Sequence, residues 1–386
     1  MITALTAAEL WTPLERIADA VVLVEDRVVT AVGPRSAVAI PPRAHVNDFG
    51  ANVLAPGYVD IHVHGGAGID VMSAAADGRA AMESLLARHG VTTYCPTTVT
   101  APLDATLRAL ERLGDAITGN HPDPLARPIG IHLEGPFISH AKRGVHPPAD
   151  IAAPSVRLFE RFWQASQGHI ALMTIAPELE GAAEVIAAAV RHGVCVSLGH
   201  SNAELAAARA AIAAGARHAT HTFNAMRALD HREPGIAGCV LSDDRVTADI
   251  IADGIHVDPA MVGLFLKAKG AENAVLITDA ISATGMGDGT FQLGAFTVEV
   301  RGDRCLHDGK LAGSVLTMER AVVNVMEFAG WELGPALRLA SLNPARVIGR
   351  QRERGRIAPG ARADIVVVTP SGEVVTTFCG GVEFES

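Results

Sequence analysis

Short apolar runs alternate with Ala-rich amphipathic stretches through the middle of the chain. Eight runs have the length and apolar content of buried parallel strands, and helical stretches such as 181–192 and 203–214 follow several of them. The candidate strands are 59–64, 91–96, 129–134, 170–176, 194–200, 219–224, 246–252 and 274–279. Regular spacing of eight strand–helix units predicts an α/β fold, a (β/α)8 TIM barrel. A doubly wound open sheet is the alternative.

Both ends of the chain have a different pattern, with short β-rich runs separated by tight turns. Residues 21–24 and 27–33 predict a hairpin, and residues 363–368 and 372–378 predict two more strands. The economical arrangement is one small β-sandwich built from both ends.

These patterns predict two domains. Residues 1–54 and 352–386 are expected to form the β-sandwich, and residues 55–351 the barrel. A β-like stretch near 291–311 predicts a β-hairpin inserted before the final helices.

Composition and charge narrow the classes of function. The content of 49% hydrophobic and 19% charged residues predicts a compact fold, and the net charge of −10 argues against a nucleic-acid partner. The five cysteines are dispersed, which favours a reducing cytoplasm, and Cys95 lies inside a candidate strand as a core residue. Because we find neither a signal-peptide pattern nor an apolar run near the ~20 residues of a membrane span, we expect a cytoplasmic protein without a membrane partner.

Polar side chains that can bind metal lie at the ends of five candidate strands. Alternate residues of a strand share a face, so His62 and His64 point the same way. The full set is His62, His64, Glu134, His200, His221 and Asp279. A lone histidine at a strand end is most often only hydrogen-bonded, but a barrel brings these ends to one face, where Glu134 needs a positive partner. The convergence predicts a divalent metal, and nitrogen and oxygen donors without cysteine suit Zn²⁺, Fe²⁺, Mn²⁺ or Co²⁺.

Lysine usage narrows the type of metal centre. The chain has four lysines, Lys142, Lys267, Lys269 and Lys310, and none lies in a candidate strand. A centre bridged by a carboxylated strand lysine is therefore disfavoured. The candidate for a native bridging carboxylate is Glu134.

Several runs resemble a known family. Residues 56–65 (PGYVDIHVHG) look like the first-strand signature of the amidohydrolase superfamily. The runs HLEGPF at 132–137, GHSN at 199–202, HTFNAM at 221–226 and TDA at 278–280 resemble one branch, the N-acetylglucosamine-6-phosphate deacetylases. The likeness covers essentially the whole chain. It implies hydrolysis of the N-acetyl group of N-acetylglucosamine 6-phosphate, giving glucosamine 6-phosphate and acetate, in amino-sugar catabolism.

The resemblance also implies which residues bind metal. Glu134, His200 and His221 would be ligands of the main metal. Because this chain keeps both first-strand histidines, a second metal between them, Glu134 and Asp279 is compatible with the family, which leaves one or two ions per subunit.

Substrate contacts follow from the same resemblance. His146 would polarise the acetyl carbonyl, and Asn224 and Ala225 would meet the phosphate. His256 would contact the sugar phosphate, and Arg232 would reach across a homodimer to the phosphate in the partner's site.

The chemistry gives Asp279 and His146 distinct roles. Asp279 can take a proton from the attacking water and return it to the departing amine, which leaves badly unless protonated. His146 adds a donor where oxyanion charge develops. The alternatives are the same reaction on the galactosamine epimer or another N-acyl amino sugar, a cyclic amidase, and an inactive barrel that serves as a binding scaffold.

Overall fold

The computed structural model describes residues 2–74 and 78–385. Its strands are β1 (Ile2–Trp11), β2 (Arg16–Glu25), β3 (Val28–Pro34), β4 (His45–Asp48), β5 (Val53–Pro56), β6 (Tyr58–Val63), β7 (Gly65–Gly66), β8 (Ile69–Asp70), β9 (Val91–Thr98), β10 (Arg127–Pro128), β11 (Ile131–Glu134), β12 (Ile170–Ile175), β13 (Cys195–Leu198), β14 (His218–Ala219), β15 (Ala248–Ile251), β16 (Ala274–Ile277), β17 (Gly289–Leu293), β18 (Phe296–Arg301), β19 (Arg304–His307), β20 (Lys310–Leu311), β21 (Ile365–Val368), β22 (Val374–Cys379) and β23 (Val382–Glu383). Its α-helices are α1 (Arg79–Arg88), α2 (Leu103–Thr118), α3 (Val156–Ala165), α4 (Ala182–Arg191), α5 (Leu205–Ala214), α6 (Gly235–Ser242), α7 (Pro259–Asn273), α8 (Met318–Ala329), α9 (Leu333–Leu339) and α10 (Leu342–Val347).

Strands from both ends of the chain form one eight-stranded sheet. Its order is β23-β22-β21-β5-β1-β2-β3, and β4 pairs in parallel with β1. The hairpin predicted near the N-terminus is the antiparallel pair β2 and β3, and the strands predicted near the C-terminus are the pair β21 and β22. Leu5, Val22, Ile365 and Phe378 belong to one buried apolar cluster, so the two ends are held together by a shared core.

The strands between the two ends form a curled parallel sheet. Its order is β10-β9-β11-β12-β13-β14, with β6 also paired to β9, and β15 and β16 form a second parallel pair. Most of these strands are buried on both faces, which explains their nearly continuous apolar sequences. Seven of the eight predicted central strands match observed ones to within a few residues.

The sixth predicted strand, 219–224, is wrong beyond Ala219. The chain leaves β14 there and turns, because His221, Phe223 and Ala225 adopt positive φ angles of 32°, 80° and 52°. A left-handed backbone cannot continue a β-ladder.

Backbone hydrogen bonds connect the larger parallel sheet to the β15–β16 pair on both sides. Ala219 N–H donates to Thr247 O (3.0 Å), and Asp279 N–H donates to His62 O (2.9 Å). The carboxyl ends of the parallel strands therefore gather on one side of the molecule.

An inserted sheet lies near these carboxyl ends. Residues 289–311 form the four antiparallel strands β17–β20, where the sequence predicts a hairpin. Its apolar side chains share a buried cluster with Val99 and Ala101, which follow β9, and with Ile281 and Ala283, which follow β16. The sheet thus packs on two of the loops that leave the parallel strands.

Three of the ten described α-helices, α3, α7 and α8, begin at a side chain that accepts a free backbone N–H group. The Asp258 carboxylate accepts Ala260 N–H at the start of α7, and the Thr317 hydroxyl accepts Arg320 N–H at the start of α8. α4 and α5 are rich in alanine, the strongest helix former. None of the helices within residues 2–74 and 78–385 is long and apolar enough to cross a membrane.

Candidate functional site

Six side chains predicted from strand ends come together as two groups of metal-ligand type. One group is His62, His64 and Asp279, and the other is Glu134, His200 and His221; the donor atoms within each group lie within 4.8 Å of one another. All six residues are buried.

Glu134, the last residue of β11, stands between the two groups. Its Oε1 lies 3.0 Å from His221 Nε2 and 3.2 Å from His200 Nε2, and its Oε2 lies 3.4 Å from His64 Nε2. On the other side of the site, Asp279 Oδ1 is 3.1 Å from His64 Nε2 and 3.4 Å from His62 Nε2. One carboxylate therefore faces both groups, as a bridging ligand must.

Three of these side chains project from unusual backbone. His200, His221 and Asp279 have φ angles of 46°, 32° and 52°, in the left-handed region that costs energy for residues with a Cβ. Each follows the end of a parallel strand, where the reversal in φ redirects the chain. Such strain is characteristic of functional sites, where the surrounding structure maintains it.

Hydrogen bonds to backbone carbonyls fix which ring nitrogen of three histidines can bind metal. His64, His200 and His221 each place Nδ1 3.0–3.2 Å from a carbonyl oxygen, and those oxygens belong to Thr97, Lys142 and Asn224, respectively. A carbonyl can only accept, so Nδ1 carries the proton and the Nε2 lone pair of the neutral ring faces the centre.

This arrangement fits a cation. The Nε2 atoms of His200 and His221 are only 3.0 Å apart, and in the neutral rings both present lone pairs. Two lone pairs directed at each other and at Glu134 repel unless a positive charge lies among them. The set of imidazole nitrogens and carboxylate oxygens suits Zn²⁺, Fe²⁺, Mn²⁺ or Co²⁺.

The electrostatics of the site support the same conclusion. Burial lowers the pKa values of His64 and His221, but the adjacent carboxylates outweigh it and raise them to about 10 and about 9. Burial also acts against ionised Glu134, yet His62 and the hydrogen-bonded His200 and His221 hold the pKa of Glu134 well below its ordinary value. The negative potential that favours protons on these rings also attracts a divalent cation.

His146 approaches the centre from the loop after β11. Its Nε2 lies 3.7 Å from Glu134 Oε2, and its ring packs edge-on against His200 with centroids 4.6 Å apart. The backbone N–H of Thr100 donates to Nδ1 (3.2 Å). Burial and the neighbouring His200 lower the pKa of His146 to about 3, so the ring is neutral and carries its proton on Nε2.

A cavity beside the centre is lined by all of the remaining predicted substrate-binding residues except Arg232. Asn224, Ala225 and His256 all line it. Asp253 Oδ2 lies 2.6 Å from His256 Nδ1, which orients that ring, and the amide nitrogen of Asn224 is buried without a hydrogen-bond partner among the described residues. Polar groups held toward a cavity in this way can bind a polar ligand.

Arg232, the remaining predicted substrate-binding residue, does not line this cavity. It is exposed on the loop before α6, where its N–H donates to Asp230 Oδ1 (2.8 Å). Its guanidinium has no carboxylate within 4.0 Å in the part of the chain that the structure describes.

Part of the cavity wall has no counterpart among the sequence predictions. Leu293, Phe296 and Leu311 of the inserted sheet line the cavity with Val99. These apolar residues carry no chemical signature, and only the three-dimensional packing assigns them to the site.

The lysines and Cys95 lie where the sequence argument places them. Lys142 ends a 3-10 turn, and Lys267 and Lys269 lie on α7. Lys310 is on β20 of the inserted sheet rather than on a parallel strand. Cys95 is fully buried in β9.

The chain matches a known family model and known proteins over most of its length. The model of the amidohydrolase family matches residues 53–383. An N-acetylglucosamine-6-phosphate deacetylase of Bos taurus is 39% identical over 347 residues, which covers 86% of this chain and 84% of that protein. An N-acetylgalactosamine-6-phosphate deacetylase of Escherichia coli O157:H7 is 39% identical over 346 residues, which covers 89% of each.

A solved structure of a deacetylase has the same fold as this chain. The crystal structure of the N-acetyl-D-glucosamine-6-phosphate deacetylase from Mycobacterium smegmatis superposes with a TM-score of 0.92 at 36% sequence identity. The superposition covers 99% of each chain.

Proposed function

The chain belongs to the amidohydrolase family, in the branch of the N-acetylglucosamine-6-phosphate deacetylases, and we propose that it hydrolyses N-acetylglucosamine 6-phosphate to glucosamine 6-phosphate and acetate. The observation that carries the proposal is a single cavity lined by the carboxylate–histidine centre, neutral His146 and the turn at 221–225. The centre and His146 would face the acetyl amide of such a substrate, and the turn would face its phosphate. In an organism this reaction belongs to amino-sugar catabolism.

The metal centre is proposed to hold two divalent ions. Glu134, His200 and His221 would hold one ion, and His62, His64 and Asp279 would hold the other, with Glu134 shared between the two sets. Support comes from the two complete sets of donors, each within 4.8 Å, and from Glu134, whose carboxylate lies within 3.5 Å of Nε2 atoms of both sets. When bound, such ions activate a water molecule and polarise the amide oxygen.

The protein's own groups handle the protons and the oxyanion. Asp279 is ionised, because His62 and His64 lower its pKa despite burial, so it can accept the proton of the attacking water. It then returns that proton to the nitrogen of the departing amine. His146 donates its Nε2–H to the carbonyl oxygen as negative charge develops there.

The turn at 221–225 is proposed to receive the phosphate. The backbone N–H groups of Phe223 and Ala225 have no acceptor among the described residues and are proposed as the anion donors, whereas those of His221, Thr222 and Asn224 donate within the protein. Asn224 adds a side-chain amide whose nitrogen is buried and unpaired in the described chain. His256, oriented by Asp253, is placed to contact the sugar phosphate.

We also propose a closed barrel, a β-sandwich domain and a cytoplasmic location. The curled sheet and the β15–β16 pair are taken as one closed (β/α)8 barrel, supported by the hydrogen bonds that join them on both sides. The sheet from both ends is taken as a small β-sandwich domain, supported by its own apolar cluster. A cytoplasmic location is supported by five cysteines that are all free.

Acetate release tests the function directly. We expect the purified protein, loaded in turn with Zn²⁺, Fe²⁺, Mn²⁺ and Co²⁺, to release acetate from N-acetylglucosamine 6-phosphate and to act poorly on the unphosphorylated sugar. The galactosamine epimer belongs in the same assay, because a relative of equal identity is named for it. A protein that binds no metal and releases no acetate would instead be a binding scaffold.

We also propose a homodimer in which Arg232 contacts the phosphate in the partner's site. Arg232 is exposed and has no ion pair within the described chain. We expect Arg232→Ala to raise KM for the phosphorylated sugar about 10–100-fold, since one charge-assisted hydrogen bond is lost. Activity on the unphosphorylated sugar should not change. Arg16→Ala, at an exposed arginine of the end sheet, is the control.

Mixed dimers decide whether Arg232 acts across the interface. Co-expressed Arg232→Ala and Asp279→Asn chains form hybrids in which one site has both an intact Asp279 and the partner's arginine. Recovery of a low KM in the hybrids is expected. If Arg232→Ala leaves KM unchanged, or if the hybrids recover nothing, the cross-subunit contact is wrong.

A further inference from the structure

The side chain of Thr100 lies between His146 and the turn that follows Glu134. Thr100 is buried in the loop between β9 and α2, and its Oγ1 is 2.8 Å from His146 Nδ1. The backbone N–H of the same residue also donates to that nitrogen. Since the Nδ1 lone pair can only accept, the hydroxyl donates, and a single residue supplies both donors.

Gly135 allows this close approach. Its φ is 75°, and a Cβ built on it would lie 2.2 Å from Thr100 Oγ1. The backbone directly after Glu134 therefore packs against the threonine hydroxyl, which in turn contacts His146 Nδ1. This contact ties the orientation of His146 to the position of Glu134.

We propose that Thr100 is a positioning residue that holds His146 with its Nε2–H toward the substrate's carbonyl oxygen. The proposal rests on the proposed function, in which His146 stabilises the oxyanion. Without the hydroxyl, the weaker 3.2 Å contact from the backbone N–H remains, and the ring gains freedom to rotate about its Cβ–Cγ bond. A donor that is misdirected in this way binds the transition state less well and the substrate almost as well.

The kinetic test replaces Thr100 with residues that keep or remove the hydroxyl. We expect Thr100→Val to lower kcat about tenfold with KM nearly unchanged, and Thr100→Ser to restore kcat. Thr100→Ala gives the same comparison with a smaller side chain. Thr93→Val is the matched control, because Thr93 is buried on β9 and its hydroxyl has no hydrogen-bond partner among the described residues.

A spectroscopic readout separates positioning from simple damage to the fold. The ¹⁵N shift of His146 Nδ1, in zinc-loaded protein labelled in its imidazole rings, reports whether that lone pair accepts a hydrogen bond. The signal is assigned by its loss in His146→Asn. We expect the Nδ1 shift to move in Thr100→Val and to return in Thr100→Ser.

Two outcomes would overturn the role of Thr100. One is a wild-type Nδ1 shift in Thr100→Val, and the other is an Nδ1 that already carries the proton in the wild-type protein. A wild-type enzyme that releases no acetate would remove the proposed function instead, while the ¹⁵N shifts would still report the contact between Thr100 and His146.

Discussion

Asp279→Asn is expected to lower kcat by about 10²–10⁴-fold while metal and substrate remain bound. Asparagine has nearly the same shape and keeps an oxygen near His62 and His64, which lie 3.4 and 3.1 Å from Asp279 Oδ1. It cannot accept a proton from water or return one to the amine. The group of Glu134, His200 and His221 does not include Asp279, so its ion should stay bound.

Steady-state kinetics combined with metal analysis check this result. KM should remain near the wild-type value, and at least the ion held by Glu134 should remain in the purified variant. Asp308→Asn is the control, because it removes the same charge from a carboxylate that is 90% exposed on the inserted sheet, and its kcat should be near normal. A near-normal kcat for Asp279→Asn would remove Asp279 from the mechanism.

The positions of most strands and of the candidate metal ligands could be predicted because their signals are local. A strand buried on both faces is a short apolar run, and in a curled parallel sheet the residues at the ends of such runs share one face. That is why His62, Glu134, His200 and Asp279, far apart in sequence, could be expected to meet. The choice of candidate ligands required only this geometry and the energetic cost of a buried carboxylate.

The sixth strand could not be predicted because its end is set by backbone conformation rather than by side-chain polarity. Residues 219–224 have the composition of a strand, yet His221 and Phe223 adopt left-handed conformations. The conformation is accompanied by tertiary contacts, such as the bond from His221 N–H to the buried carboxylate of Asp249, which lies outside the segment. No pattern within the segment itself encodes it.

Contacts made through the backbone are a second kind of information that the sequence does not reveal. The carbonyls of Thr97, Lys142 and Asn224 determine which nitrogen of His64, His200 and His221 faces the centre, and any residue type could supply them. The cavity wall formed by Phe296 depends on how the inserted sheet docks. These features require coordinates, because they follow from position and not from residue chemistry.

Glu134→Gln is expected to lose both metal and activity, and its effect should be the broadest of any single substitution in the site. The variant keeps the size of the side chain but removes the charge that faces both groups of histidines. Its amide also directs a donor or a weaker oxygen acceptor at the Nε2 atoms of His200 and His221, 3.2 and 3.0 Å away. Metal affinity should fall by more than the 10–100-fold that loss of an outer-shell partner costs.

Metal content after dialysis, and the shift in Tm on adding Zn²⁺, measure this loss independently of turnover. Zinc should raise the Tm of metal-free wild-type protein, because an ion that binds only the folded state stabilises it, and the shift should disappear in Glu134→Gln. Glu83→Gln is the matched control: Glu83 is an equally buried carboxylate that accepts the Tyr94 hydroxyl away from the centre, so that variant should keep its metal even if its stability falls. Full metal retention in Glu134→Gln would show that the histidines and Asp279 hold the ions without a bridging carboxylate, and the role assigned to Glu134 would be wrong.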